Sequence, residues 1–179
     1  MKCPRCKTPD LKPTMIEEYL PAAGCPDCQG TLVSLVYYRH WAEIQKAPTE
    51  GSAPETTISI ETTDTTTALT CPKCSRVMMK YKLTGTVSNR LDVCSLCDEA
   101  WLDRGEWELL EALQLSQMMP AIFTDEWQRR IRRDIVEGTR RSVLAGLIGE
   151  PGAAKVEEFG AWLRQSKHKF HILQYLYRG

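Results

Sequence analysis

Eight cysteines constrain this 179-residue chain more than anything else in it. They stand at positions 3, 6, 25, 28, 71, 74, 94 and 97, which is one pattern written twice: Cys-x-x-Cys, a gap of 18 or 19 residues, then Cys-x-x-Cys. The offset between copies is 68 residues for the leading pair and 69 for the trailing pair, the mark of a duplicated module. A Cys-x-x-Cys turn presents two sulfurs from one tight knuckle, and a second turn on another hairpin completes four ligands at tetrahedral corners. Two strands of about five or six residues with their turns fill a gap of this length. Proline follows the first cysteine in Cys3-Pro4, Cys25-Pro26 and Cys71-Pro72 and stiffens those turns. The reading is two structural zinc ions, one on Cys3, Cys6, Cys25 and Cys28, the other on Cys71, Cys74, Cys94 and Cys97. Four thiolates leave no open coordination position, so neither site is expected to be catalytic. Thiol–disulfide chemistry and an iron–sulfur cluster are the rivals; the first normally uses one such pair near a βαβ unit, the second different spacing.

Such a metal dependence suits the rest of the composition. Phenylalanine is scarce and aliphatic residues are thin before residue 105, so the N-terminal half needs stability from another source. The N-terminus, Met-Lys-Cys-Pro-Arg-Cys, shows no apolar leader, which points to a reduced, cytoplasmic setting rather than to disulfides. The apolar run Ser142 to Gly149 is far too short to span a bilayer, and no membrane partner is expected. Formal net charge is zero, but residues 1 to 124 carry 12 basic and 16 acidic side chains, whereas residues 125 to 179 carry 11 and 7. An anionic partner should prefer the C-terminal part.

The expected fold class is a small α+β protein: two four-cysteine zinc ribbons, each a short antiparallel hairpin followed by a helix, plus a C-terminal α-helical module. The boundaries are 1–46 for the first ribbon, 47–69 for a Thr/Pro/Ser-rich linker, 70–119 for the second ribbon and 120–179 for the helical module. Within the linker, Thr57-Ile58-Ser59-Ile60 reads as one short strand. Asp103 and Glu106 stand three apart before Trp107, Leu109, Leu110 and Leu113, a capping-box arrangement predicting a helix from about 104 to 119, stopped at Pro120. Ser34 has the same offset from Cys28 that Asp103 has from Cys97, so it should launch a helix over Leu35, Tyr38 and Trp41. Thr124-Asp125-Glu126 caps a helix to about Ile148, Gly149 to Gly152 breaks the chain, and a last helix should occupy about 153 to 177.

The run Leu91-Asp92-Val93-Cys94-Ser95-Leu96-Cys97-Asp98-Glu99-Ala100-Trp101-Leu102-Asp103-Arg104-Gly105-Glu106, with Cys71-Pro72-Lys73-Cys74 before it, resembles the bacterial TFIIB-type zinc-ribbon (zinc-finger) family. The match covers about residues 70 to 110. The first copy diverges, with Thr31-Leu32-Val33-Ser34-Leu35-Val36-Tyr37 where the Trp-Leu-Asp-Arg-Gly-Glu run would stand. The resemblance implies a zinc-ribbon fold and a nucleic-acid or transcription-related role. Residues 120 to 179 resemble nothing comparable.

Two further surfaces stand out. Trp127, Ile131 and Ile135 share one stripe of the 125–148 helix, and Arg129, Arg133 and Arg140 share the opposite one, with Arg130, Arg132 and Arg141 beside them. These six arginines are the candidate phosphate contacts; a solvated, partly paired face is the plain alternative. In the last helix Phe159, Leu163, Phe170, Leu173 and Tyr177 recur at near-helical spacing, which reads as packing against the preceding helix, with stacking on single-stranded nucleic acid as the alternative. No nucleophile–base pair, phosphate loop or open metal shell is visible, so the expectation is a non-enzymatic zinc-binding adaptor. Its partner is nucleic acid or a nucleic-acid-processing complex in the first reading, and another protein or a second copy in the second.

Overall fold

The computed structural model describes residues 1–45 and 60–178. The strand expected at Thr57-Ile58-Ser59-Ile60 lies almost wholly outside the described residues. The chain divides into two compact units, the first from Met1 to Arg132 and the second from Arg133 on. The protein is a mixed α+β chain with one antiparallel sheet and six helices among the described residues.

The first unit is built on six strands: β1 (Lys12–Glu17), β2 (Leu20–Gly24), β3 (Thr31–Ser34), β4 (Met79–Lys82), β5 (Arg90–Cys94) and β6 (Glu99–Leu102). Their order is β1-β2-β3-β6-β5-β4, antiparallel throughout. The duplication in the sequence therefore becomes a symmetry of the sheet. Each copy supplies three strands, and the copies join through their last strands, β3 against β6. At that seam Leu32 pairs with Trp101, its own counterpart at the 69-residue offset of Cys28 and Cys97. A pseudo-two-fold axis passes between these two residues, since only there does a residue meet its own equivalent.

Strand alternation gives the sheet two unlike faces. Val33, Leu91, Val93, Ala100 and Leu102 point to the helix-covered face. There α1 (Leu35–Ile44) lays Leu35, Tyr38 and Trp41 against Trp107, Leu109 and Leu110 of α2 (Glu106–Ala112) and Met119 and Ile122 of α3 (Met119–Ile122). The helix of the first copy thus packs on those of the second: the Trp41 and Trp107 rings meet edge-on at 5.4 Å, and Tyr38 Oη donates to Ser116 O at 2.7 Å while accepting from Met119 N. Leu32 and Trp101 point to the other face, together with the cysteines, Leu69 and Met78.

Helix bounds depart from the sequence reading where a local cue was misassigned. The expected 104–119 helix is α2 and α3 instead. The first of these ends at Ala112, with Leu113 as its C-cap, because Gln114 adopts left-handed backbone, φ 57°, and Leu115 turns inward. Pro120 does not stop a helix; it sits in the first turn of α3, where a missing N–H costs nothing. The helix α4 (Asp125–Ile148) is as expected, with Thr124 Oγ1 accepting the Trp127 amide at 3.2 Å. Its apolar stripe is also as read: Ile131 is buried and the Trp127 indole donates to Leu83 O.

In the second unit the expected 153–177 helix is two, α5 (Glu150–Gln165) and α6 (Lys169–Arg178), parted at Ser166, whose hydroxyl accepts the His168 amide. Gly149, at φ 77°, separates α4 from α5. The apolar residues of α5 and α6 are not packed away as expected. Phe159 is 40% exposed, Leu173 45%, Phe170 74% and Tyr177 95%.

Candidate metal centres

Each cysteine pair is held by the same short turn. The residue after the pair returns its amide to the carbonyl of the first cysteine in three of them: Lys7 to Cys3, Gln29 to Cys25 and Ser75 to Cys71, at 2.8–3.1 Å. Closing the knuckle requires left-handed backbone at that residue, and all four adopt it: Lys7 (φ 68°), Gln29 (60°), Ser75 (61°) and Asp98 (55°). None is glycine, so each turn carries strain of roughly 1 kcal/mol. A metal ion gripped by two such knuckles would offset that strain.

The turns bring all eight cysteines into two quartets. Cys3, Cys6, Cys25 and Cys28 have their sulfurs within 4.8 Å of one another, and so do Cys71, Cys74, Cys94 and Cys97. A tetrahedral ion bound at about 2.3 Å sets the sulfurs about 3.8 Å apart along each edge. Sulfur pairs lie at 3.7 Å (Cys3–Cys28), 4.0 Å (Cys6–Cys25) and 3.5 Å (Cys74–Cys94). These separations are near that edge length and nearly twice the length of a disulfide bond. In every pair the first cysteine is buried and the second half-buried. Burial pushes the Cys3, Cys28 and Cys71 thiols up, and hydrogen bonding to Cys74 takes Cys97 up to about 12. The Arg76 amide draws Cys74 down to about 7. Crowded thiolates repel, and a bound divalent cation removes that cost. Both quartets are therefore positioned to hold a metal ion, with all four donors supplied by the chain.

Between the quartets lies Trp101, fully buried at the seam. Its ring occupies the space above Gly30: a Cβ there would stand 2.3 Å from Trp101 Cζ2 and 3.1 Å from the Leu102 carbonyl. The Trp101 indole donates to Asp103 Oδ1 at 3.0 Å. The Trp-Leu-Asp-Arg-Gly-Glu run thus has a different task from the one its spacing suggested. Asp103 does not cap α2, for which no side-chain cap bond exists; its carboxylate takes the Trp101 indole and, at 2.5 Å, the Thr65 amide. Gly105 has φ 81° and lets the Glu61 carbonyl approach within 2.5 Å of where a Cβ would be. Glu106 behaves as the box predicts, accepting the Asp103 amide at 2.8 Å, and also accepts Asn89 Nδ2. Asn89 in turn donates to Thr63 O, and Thr63 N donates to Arg104 O. The motif fastens residues 61–65 across the second copy.

A third group, Asp64, Asp103 and Glu106, also gathers within 4.8 Å. Here charge balance is met without a metal. Arg90 reaches Asp64 at 3.0 Å, Arg5 reaches Asp103 at 3.7 Å, and Lys80 reaches the adjacent buried Asp92 at 2.7 Å. Three carboxylates thus face three cations, and burial takes the remaining group, Glu106, up to about 8, so that it is largely neutral near pH 7.

All six candidate arginines of α4 are exposed. Their circumstances differ. Arg141 is tied to Glu150 (2.8 Å) and Glu157 (3.3 Å), Arg130 lies 4.2 Å over the Trp127 ring, and Arg129 Nε donates to Asp125 O. Arg132, Arg133 and Arg140 point to solvent.

Comparison with models of protein families, with curated proteins and with solved structures returns no match for this chain.

Proposed function

We propose that this chain is a non-enzymatic adaptor, stabilised by two structural Zn2+ ions in TFIIB-type ribbons, that binds nucleic acid or a nucleic-acid-processing complex. The observation that carries the metal half is the pair of cysteine quartets, each with its four sulfurs within 4.8 Å of one another. Zinc is the ion that four thiolates at tetrahedral corners select without redox chemistry. Supporting the binding half are the exposed arginines of α4 and the Trp101-to-Glu106 run that resembles transcription-factor ribbons. Guanidinium groups held on a helix suit phosphate oxygens, which position a protein without reading sequence.

The test is a titration of labelled single- and double-stranded DNA and RNA at several salt concentrations. Affinity should fall as salt rises, and the Arg129→Gln, Arg133→Gln, Arg140→Gln triple variant should lower the salt slope by about two to three. Folding should barely change, because exposed charges contribute little to stability. Absence of salt-dependent binding near about 0.1 M salt would leave the second reading, a protein-interaction module. That reading draws on exposed apolar side chains of the first unit, such as Val77, Met79 and Leu96 beside the second quartet.

A further inference from the structure

The last helix is out of balance with its surroundings. Of the ten residues of α6, six are large and apolar (Phe170, Ile172, Leu173, Tyr175, Leu176, Tyr177), and none is buried. Ala153 is the only buried side chain of the second unit among its described residues. An isolated helix of this length is unstable in water, so α6 requires an apolar medium against it. At 100° per residue its polar arc is narrow, holding Gln174, Arg178 and His171, while Lys169, in the first turn, falls between Leu173 and Leu176 on the apolar side.

Charge indicates which medium. After Glu158 the chain carries Arg164, Lys167, Lys169 and Arg178 and no acidic side chain. A second copy of the same segment would set these cations against one another. Nucleic acid would satisfy them and could stack on the rings, yet it offers nothing to Ile172, Leu173 or Leu176. A bilayer containing anionic lipid supplies both an apolar layer and negative charge. Trp162, 55% exposed on α5, and Tyr175 and Tyr177 of α6 are the residue types that settle at headgroup depth. No helix among the described residues is long and apolar enough to cross a membrane. The expectation of no membrane partner rested on the lack of a span, and surface contact needs none.

We propose that α6, with the cations flanking it, is a peripheral anchor that lies in the headgroup region of an anionic bilayer. It does not depend on the zinc or nucleic-acid readings.

The experiment is co-sedimentation of full-length, zinc-loaded protein with vesicles of phosphatidylcholine alone and with about 30% phosphatidylglycerol, near about 0.1 M salt. Partitioning onto the anionic vesicles should be about tenfold stronger or more, and should weaken by about tenfold on raising salt to about 0.5 M. Leu173→Glu with Leu176→Glu should abolish it, while zinc content and helical signal of the first unit stay unchanged. A second variant, Lys167→Gln with Lys169→Gln, leaves every apolar residue in place and should weaken binding several-fold. Equal binding to both vesicle types, no binding, or undiminished binding by the glutamate variant overturns the proposal. So does a dimer dispersed by those glutamates, which would make a second copy the occupant, or binding of a single-stranded oligonucleotide without vesicle binding.

Discussion

Gly30→Ala places one methyl group at the seam between the two copies. The added carbon would lie 2.3 Å from Trp101 Cζ2 and 2.9 Å from Cε2. Ordinary carbon contacts are about 3.6 Å, so the ring must retreat by more than about 1 Å. It has nowhere to go: Trp101 is fully buried, its indole N–H is fixed on Asp103, and the Leu102 carbonyl at 3.1 Å blocks a shift of the new methyl. Overpacking of this kind costs about 1–3 kcal/mol, and a broken buried hydrogen bond adds about 1 kcal/mol. A total near 3 kcal/mol lowers the melting temperature of a unit this size by roughly 10 °C. Thermal unfolding of zinc-loaded protein, followed by circular dichroism and by zinc release to a chromogenic chelator, reads both effects. The double variant Gly30→Ala, Trp101→Leu should melt higher than the sum of the single changes allows, because the smaller side chain vacates the contested space. A Gly30→Ala protein melting within about 2 °C of wild type would refute the seam packing.

Two further changes test the polar and metal sides of the first unit. Cys94→Ser should release metal from both quartets in one transition, because β5, β6 and β3 are neighbours in a single sheet; retention of a native first copy with half the metal would show two independent modules. Glu106 is held up near 8 by burial, above its unfolded value of about 4.5, so the folded state binds the extra proton between these values. Its stabilising contribution is complete below about pH 4.5 and is lost as pH rises through about 8. Glu106→Gln should therefore gain stability relative to wild type from pH 6 to about 9 in denaturant titrations at fixed zinc; a pH-independent difference would show that the carboxyl is ionised throughout.

What could be read from the sequence was whatever local chemistry writes locally. The cysteine quartets follow from spacing alone, and α4 follows from Thr124 and the Trp127, Ile131 stripe. The first-copy helix was reached by analogy, from Ser34 standing where Asp103 stands, although neither side chain makes a cap bond. The joined sheet is not legible, because β3–β6 pairing links residues 65 to 71 apart and neither strand shows by itself which partner it takes. Left-handed turns at Lys7, Gln29, Ser75 and Asp98 were hidden for a different reason: none is the glycine that usually signals such backbone. Asp103 misleads because the capping pattern explains it locally, and Gly105 carries no local cue to its role. Their work is done on residues 61–65, some 40 positions earlier in the chain, which sequence spacing does not reveal.

The eight cysteines are positioned to form two closed metal centres. Protein purified without added metal, examined by elemental analysis together with zinc X-ray absorption, tests it most directly. Two zinc ions per chain are expected, each with four sulfur neighbours at about 2.3 Å. One ion or none, a nitrogen or oxygen donor in the shell, or sulfur–sulfur bonds at about 2.05 Å would contradict it.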